Sequence, residues 1–242
     1  MCKCSIRPLP INRLTIDKSY MTYLMNFGQK ITCGTYIWYI EGPEENIIVD
    51  AGCPAELQTR GGFPAEQIAS SDEALKKVNL KPEDIDIVIL THLHTDHCAD
   101  AYKYTNARFI IQKEELESAL NPHPAIAYMF NKKYFEKLNF ETINGEEEIT
   151  EGIRVFPTPG HSPCGQSVEV DTASGKAVIT GFCCVRENFE PPERMKRIFH
   201  FIPPGIHINM MQLYESMVKV EKRADIIVPL HDQEYLKKKS IP

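Results

Sequence analysis

The feature that most constrains this chain is a run of ionisable side chains in one short segment. His92, His94 and His97 place three imidazoles within six residues, and Asp96 adds a carboxylate among them. Histidine nitrogens and carboxylate oxygens are the usual ligands of zinc-like ions. The apolar, β-branched run at 85–90 predicts a buried strand that leads into this segment. We therefore interpret the segment as a metal-binding loop at the end of a strand.

Two histidines further along the chain are candidates to complete the ligand set. His161 follows a Pro-Gly pair, and His231 follows a second apolar strand-like run at 226–230. The candidate metal ligands are therefore His92, His94, Asp96, His97, His161 and His231. The other three histidines, His123, His200 and His207, lie in Pro-rich or aromatic segments, and we expect ordinary polar or capping roles for them.

Length and composition are those of one ordinary enzyme domain over residues 1–242. The net charge of −6 argues against nucleic acid as a partner, and no segment is long and apolar enough to predict a membrane span. The start of the chain lacks the apolar run of a secretory signal. Eight dispersed cysteines favour a reducing cytoplasm over a disulfide scaffold. We expect Cys2 and Cys4 to be exposed thiols on a frayed terminus.

Hydrophobic periodicity predicts two similar halves, each with strands and helices. Besides the strand at 85–90, we predict strands at 31–40, 46–50, 109–111, 153–156, 167–170, 176–180 and 226–228. Helices are predicted at 71–78, 113–120 and about 209–223, from caps, acidic first turns and apolar spacing.

The motifs resemble those of the metallo-β-lactamase superfamily. Thr91–His97, Gly160-His161-Ser162 and the late His231 carry this resemblance, and looser matches along the chain resemble the N-acyl homoserine lactonases. The resemblance implies an α/β (α+β) fold, a four-layer αββα sandwich of the metallo-β-lactamase type with one or two metals at one edge. It also implies that Asp50 lies behind the metal histidines and fixes their orientation.

One departure from the family concerns the residue that bridges two metals. Where the lactonases have an aspartate at the end of a strand, this chain has Gly181 or Phe182, depending on the alignment, and Cys184 stands where they carry a tyrosine. A thiolate of Cys183 or Cys184 is an alternative metal ligand, because a nearby cation deprotonates a thiol. The other interpretation is that both cysteines are small buried hydrophobes.

The resemblance implies metal-dependent hydrolysis of an apolar lactone or ester. His92, His94 and His161 would hold one metal, and Asp96, His97 and His231 a second. We expect Zn²⁺, with iron or manganese as alternatives, to lower the pKa of bound water to about 7. Asp96 is the candidate catalytic residue that passes a proton to the leaving alkoxide. The missing bridge predicts weaker binding of the second metal and slow turnover of classical acyl homoserine lactones.

Three segments rich in aromatic residues and Met suggest an apolar roof over the site. They are 20–27, 126–130 with 134–135, and 198–202 with 210–211. The expected partner is a small-molecule substrate with an apolar portion. No basic residue lies near the ligand motifs, which argues against phosphate esters. The sequence selects no oligomeric state, and a homodimer is one option.

Two other classes of protein share enough of this pattern to stay open. One is a mononuclear iron dioxygenase that oxidises thiols or persulfides, and the other is a non-catalytic metal-binding or redox-sensing protein in which Cys183 and Cys184 react. His94 argues against the di-iron oxygen-reductase branch, which has a glutamate at that position. Metal content separates these classes, since iron would support the dioxygenase and zinc the hydrolase.

Overall fold

Alternating burial along the strands builds two sheets that pack face to face. The computed structural model describes residues 4–242. The first sheet consists of β1 (Ser5–Asp17), β2 (Lys30–Glu41), β3 (Ile47–Val49), β4 (Ala65–Gln67), β5 (Ile87–Ile89), β6 (Arg108–Gln112) and β7 (Phe140–Ile143), in the order β4-β1-β2-β3-β5-β6-β7. Strands β3, β5, β6 and β7 run parallel to one another, and β1 and β2 pair antiparallel.

The second sheet is smaller and mostly antiparallel. It consists of β8 (Glu147–Thr150), β9 (Ile153–Pro157), β10 (Gln166–Thr172), β11 (Gly175–Ile179) and β12 (Ile226–Val228), in the order β12-β11-β10-β9-β8. The strands predicted at 167–170 and 176–180 correspond to β10 and β11 and form a hairpin, and β12 pairs parallel with β11. The end of β12 at Val228 therefore lies beside the end of β11 at Ile179.

Helices cover the outer faces of both sheets. They are α1 (Ala55–Arg60), α2 (Ser71–Lys76), α3 (Thr95–Cys98), α4 (Lys113–Leu120), α5 (Arg186–Phe189), α6 (Glu193–Lys196) and α7 (Met210–Arg223). Ile47 faces the core between the sheets, whereas its neighbour Ile48 faces the helices. In the second sheet Ile179 faces the core between the sheets, and its neighbour Val178 faces the helices. This two-residue alternation produces the predicted four-layer αββα sandwich.

The described chain is tied into the fold from Cys4 onward, contrary to the expectation of an exposed thiol there. Cys4 is buried, and its backbone N–H donates to the carbonyl of Asp171 at 3.0 Å. Cys2 lies outside the described residues. The expectation for Cys4 was wrong because β1 begins beside it and adds 13 residues to the first sheet. Sequence analysis missed this strand, whose Pro8 and Pro10 are unusual inside a sheet.

No helix within residues 4–242 combines the length and the apolar character that crossing a bilayer would require.

Candidate metal centre

The end of β5 delivers the first ligand segment to the edge of the sandwich. Strand β5 stops at Ile89 and α3 begins at Thr95, so His92 and His94 lie in the turn between them, whereas Asp96 and His97 lie within α3. Asp50 follows β3, the neighbouring parallel strand. Its carboxylate accepts hydrogen bonds from the backbone N–H and the hydroxyl of Thr91, at 2.8 and 2.9 Å. The loop after β3 thereby fixes the start of the ligand segment.

The structure brings the six predicted ligands together as two groups of three. In the first group, His92, His94 and His161 have ligand atoms within 4.8 Å of one another. The Nε2 atoms of His92 and His161 are 3.2 Å apart. Two nitrogens bound to one tetrahedral zinc at 2.0–2.1 Å would be separated by about 3.3 Å. This spacing therefore suits a shared divalent metal.

The second group joins a carboxylate and two imidazoles. The ligand atoms of Asp96, His97 and His231 also lie within 4.8 Å of one another. Oδ2 of Asp96 is 3.2 Å from Nε2 of His97 and 3.9 Å from Nε2 of His231. The side chain of Asp96 is 30% exposed, whereas both imidazoles are buried. Asp96 is thus the most exposed member of this group.

Hydrogen bonds on the far side of three rings fix their orientation. His97 Nδ1 donates to Asp50 at 2.7 Å, His161 Nδ1 to the carbonyl of Ile206 at 2.8 Å, and His231 Nδ1 to the carbonyl of Gly34 at 2.9 Å. A ring that donates through Nδ1 keeps its Nε2 lone pair for a metal. The contact between Asp50 and His97 agrees with what the family resemblance implies.

Orphaned polar atoms test whether a metal fits this donor set. Nε2 of His94 is buried and has no hydrogen-bond partner, and the buried Nε2 of His97 has only its ion-pair contact with Asp96. A buried polar atom without a partner costs roughly 1–3 kcal/mol. A divalent ion between the rings would satisfy these atoms, so the residues present fit a metal.

The two groups differ in their electrostatics. Burial lowers the pKa of His92 and His94 well below that of ordinary histidine and lowers the pKa of His161 to about 4. The first group therefore presents neutral imidazoles. Burial opposes charge on His97 as well, but Asp96 and Asp50 raise its pKa to about 10. A metal entering the second group must displace that proton.

The segment after β11 supplies no carboxylate to join the groups. A Cβ on Gly181 would lie 2.1 Å from the carbonyl oxygen of Gln166, so an aspartate there requires the backbone to move. Phe182 is fully buried and packs against Phe189. Both belong to the apolar cluster that also contains Val178, Phe201 and Leu213, here called the outer core. At Gly181 and at Phe182, the two positions where a bridging aspartate would align, local packing thus disfavours that side chain.

Neither cysteine belongs to the two ligand groups formed by residues 4–242. Cys184 is buried in the same outer core as Phe182, and its thiol contacts the hydroxyl of Thr180 at 3.1 Å. Cys183 lines the cleft beside the metal centre, and its Sγ lies 3.5 Å from Sδ of Met21. Burial raises the pKa of both thiols. Their surroundings suit the interpretation as small hydrophobes.

A cavity of about 240 Å³ opens over the two groups. His94, Asp96, His161 and His231 lie on its metal side. Its apolar wall is formed mainly by Leu14, Ile16, Met21, Phe63, Met129 and Ile206.

Two of the three segments predicted to roof the site do line this cavity. Tyr20 comes from the first segment and Tyr128 from the second. The third segment lies elsewhere, because Phe201 is buried in the outer core against Phe189 and Tyr214. Sequence analysis also missed the wall residues of β1, since that strand itself was not predicted.

The remaining histidines lie outside both groups. Nδ1 of His123 accepts from the N–H of Ala125 at 3.2 Å, and Nδ1 of His207 donates to the carbonyl of Pro204 at 2.8 Å. His200 contacts Glu221 on α7. These are the polar and capping roles expected of them.

Comparison with known proteins yields a consistent set of relatives. The model of the metallo-beta-lactamase superfamily matches residues 31–182. An N-acyl homoserine lactonase of Bacillus thuringiensis is 30% identical over 228 residues, which cover 88% of each chain. An N-acyl homoserine lactonase of Agrobacterium fabrum is 25% identical over 226 residues, which cover 79% of this chain and 82% of that one.

Solved structures agree with the sequence relatives. A crystal structure of a B. thuringiensis lactonase variant, with N-decanoyl-L-homoserine bound at its active site, matches with a TM-score of 0.79 and 26% identity. That match covers 98% of this chain and 96% of the other. An N-acyl homoserine lactone hydrolase, with the product N-hexanoyl-L-homoserine at its catalytic metal centre, gives a TM-score of 0.80 at 26% identity over the same shares.

Proposed function

The chain belongs to the metallo-beta-lactamase superfamily, and on that premise we propose that it is a metal-dependent hydrolase that opens a lactone or ester with an apolar acyl portion. The observation that carries the proposal is the pair of ligand groups on one side of an apolar cavity. The lactonase relatives favour hydrolysis over the dioxygenase and sensor alternatives. We propose that the chain works as one domain.

Zinc is the metal we propose for this centre. The donor set is rich in histidine, with one carboxylate, and such sets are typical of zinc enzymes. A zinc ion bound there would supply a nucleophilic hydroxide and polarise the substrate carbonyl. His92, His94 and His161 would hold one ion, and Asp96, His97 and His231 would hold a second.

Asp96 is the residue we assign to proton transfer. Its carboxylate is partly exposed to the cavity and faces His97 and His231. Burial favours the neutral acid, but His97 and the other imidazoles lower the pKa of Asp96, so it is ionised at neutral pH. An ionised carboxylate can accept a proton as the nucleophile attacks and return it to the leaving alkoxide.

The cavity wall favours an apolar acyl group. Met21, Phe63 and Ile206 offer carbon and sulfur surface, with no cationic side chain among the lining residues. A phosphorylated substrate would lack an Arg or Lys partner there. Cys33, Cys53, Cys98, Cys164, Cys183 and Cys184 are all thiols, which supports a reducing, cytoplasmic location.

A hydrolysis screen on zinc-loaded protein tests the proposal. The panel contains N-acyl homoserine lactones, simple γ-lactones, aryl esters, thioesters and β-lactams, and proton release reports turnover. We expect lactones or esters with apolar acyl groups to be hydrolysed and His161→Ala to abolish turnover. His123→Ala, a histidine change away from the centre, should leave turnover unchanged. Inactivity toward every lactone and ester, with metal content verified, would refute the proposal.

A further inference from the structure

A buried carboxylate on α4 contacts both segments that supply the first ligand group. Glu115 lies in the first turn of α4 and is fully buried. Its Oε1 accepts from the backbone N–H of Leu93 at 3.2 Å, and its Oε2 accepts from the backbone N–H of Cys164 at 2.9 Å. Leu93 stands between His92 and His94, and Cys164 comes three residues after His161.

The chemistry of this contact requires both carboxylate oxygens. Each oxygen accepts one N–H from a different segment, so one side chain sets the distance between two loops that are far apart in sequence. Leu93 is fully buried and Cys164 nearly so, and an unpaired N–H at either residue would be costly. Burial raises the pKa of the Glu115 carboxyl, while both N–H donors oppose that change.

We propose that Glu115 is a positioning residue for the metal centre: it fixes His161 relative to His92 and His94, so that the three imidazoles meet at one ion. The inference rests on the proposed function, since it assumes that these residues bind a metal. Contacts outside the ligand set typically change metal affinity by roughly 10–100-fold when they are removed. Glu115 does not touch the substrate or the reacting atoms and is therefore not assigned a catalytic role.

The decisive variant is Glu115→Gln, which keeps the size of the side chain. A glutamine has only one acceptor oxygen, and its NH₂ group would face an N–H of Leu93 or Cys164. We expect Co²⁺ affinity at the His92, His94 and His161 group to fall about 10-fold or more, with an altered Co²⁺ absorption spectrum. Affinity at the Asp96 group should change much less. Glu117→Gln, an exposed change on the same helix, is the matched control.

Metal affinity separates positioning from a purely structural role. The proposal is overturned if Glu115→Gln binds Co²⁺ with the parent affinity and spectrum, even when the metal-free variant unfolds more easily. If Glu115→Gln does not fold, Glu115→Asp takes its place, because it keeps the charge but is one methylene too short to reach both segments. Loss of affinity in that variant supports the proposal, and parent affinity overturns it.

The outcome can be told apart from failure of the proposed function. Co²⁺ binding is measured without substrate, so an inactive parent chain whose Glu115→Gln variant loses affinity would refute the hydrolase and retain the positioning role. An active parent chain whose Glu115→Gln variant binds Co²⁺ with the parent affinity would retain the hydrolase and refute the positioning role.

Discussion

Three imidazoles of the centre are held by hydrogen bonds on the side of the ring away from Nε2. The metal-facing Nε2 atoms of His97, His161 and His231 are directed by hydrogen bonds that their Nδ1 atoms make to Asp50 and to two backbone carbonyls. Such contacts limit ring rotation and select one tautomer. Folding itself therefore contributes to the ordering of these three rings.

Asp96→Asn tests the proton-transfer role at this scale. Asparagine keeps the shape and one oxygen but cannot accept and return a proton. With both metal groups loaded, we expect kcat on an ester with a poor leaving group to fall by about 10²-fold or more, the usual scale of general acid–base catalysis. Steady-state kinetics paired with metal analysis measure this. An unchanged kcat in the fully loaded variant would remove Asp96 from the mechanism.

The candidate ligands could be grouped from the sequence because most of them are local. His92, His94, Asp96 and His97 share one turn, so their types and spacing predict a metal site before any fold is known. Glu115 and the carbonyls of Gly34 and Ile206 could not be found in this way, because their contacts depend on tertiary packing. The sequence hint that Glu115 is buried is its position four residues before Ala119, on the same face of the helix. Ala119 is itself buried.

At the scale of elements, the end of β11 determines how the two ligand groups are coupled. Residues 180–185, which follow β11, include no carboxylate: Gly181 packs against the backbone of Gln166, and Phe182 enters the outer core. The groups therefore share no oxygen bridge from this strand. Sequence comparison predicted the missing side chain, but only the structure shows the packing that fills its place.

Unequal zinc affinities follow from this arrangement. We expect calorimetric titration of the metal-free chain to show tighter binding at the three neutral imidazoles than at Asp96, His97 and His231, where a proton must leave His97. A double variant, Cys183→Ala with Cys184→Ala, should behave like the parent chain. Two equally tight sites in both proteins would contradict this expectation. Equal sites lost only in the double variant would show that a thiolate is a ligand.

The loop between β9 and β10, which packs against the start of α7, gives a second prediction at this scale. Gly160 has φ of +119°, and a Cβ there would lie 2.3 Å from the backbone nitrogen of Leu213. Gly160→Ala should push α7 away from the His161 segment, lowering both Tm and zinc affinity. Gly145→Ala is the matched control, because Gly145 has φ of +101° but open space around its Cβ position.

Thermal unfolding with and without zinc measures both effects of Gly160→Ala. If Gly160→Ala and Gly145→Ala lose equal stability and both keep the parent zinc affinity, backbone strain alone explains the change. Contact between α7 and the ligand loop would then have no role in metal binding.

Elements of the fold differed in how well sequence predicted them. The helix at 209–223 and the strand ending at Val228 were found, because apolar spacing and caps mark them clearly. Strand β1 was missed because Pro8 and Pro10 argue against a strand. The structure accommodates them beside a register shift between Pro10 and Asn12, where β4 does not yet pair with β1.

At the scale of the whole molecule, the sandwich builds a cavity from segments that are remote in sequence. Leu14 on β1, Phe63 before β4 and Ile206 before α7 meet across it. The proposed metal ligands enter from both sheets, since His92 follows β5 and His231 follows β12. The resemblance predicted this architecture, whereas the cavity wall needed the tertiary structure because no local pattern joins its members.

Acyl-chain length tests the cavity as a substrate site. If the apolar wall holds the acyl group, each added methylene should raise kcat/KM by about 0.8 kcal/mol, or roughly fourfold, until the cavity is full. A series of lactones from acetyl to decanoyl measures this. Ile206→Ala should flatten the dependence, whereas Met211→Ala, an exposed change away from the cavity, should not. A flat series in the parent chain would place the acyl group elsewhere.

Metal reconstitution tests the central claim most directly. The chain is stripped with a chelator, shown to remain folded, and titrated with Zn²⁺ while lactone ring opening and bound metal are measured together. We predict no turnover without metal and recovery that follows occupancy of the His92, His94 and His161 group. Full turnover by the stripped chain, or no hydrolysis of any lactone or ester by the fully loaded chain, would contradict the assignment as a metal-dependent hydrolase.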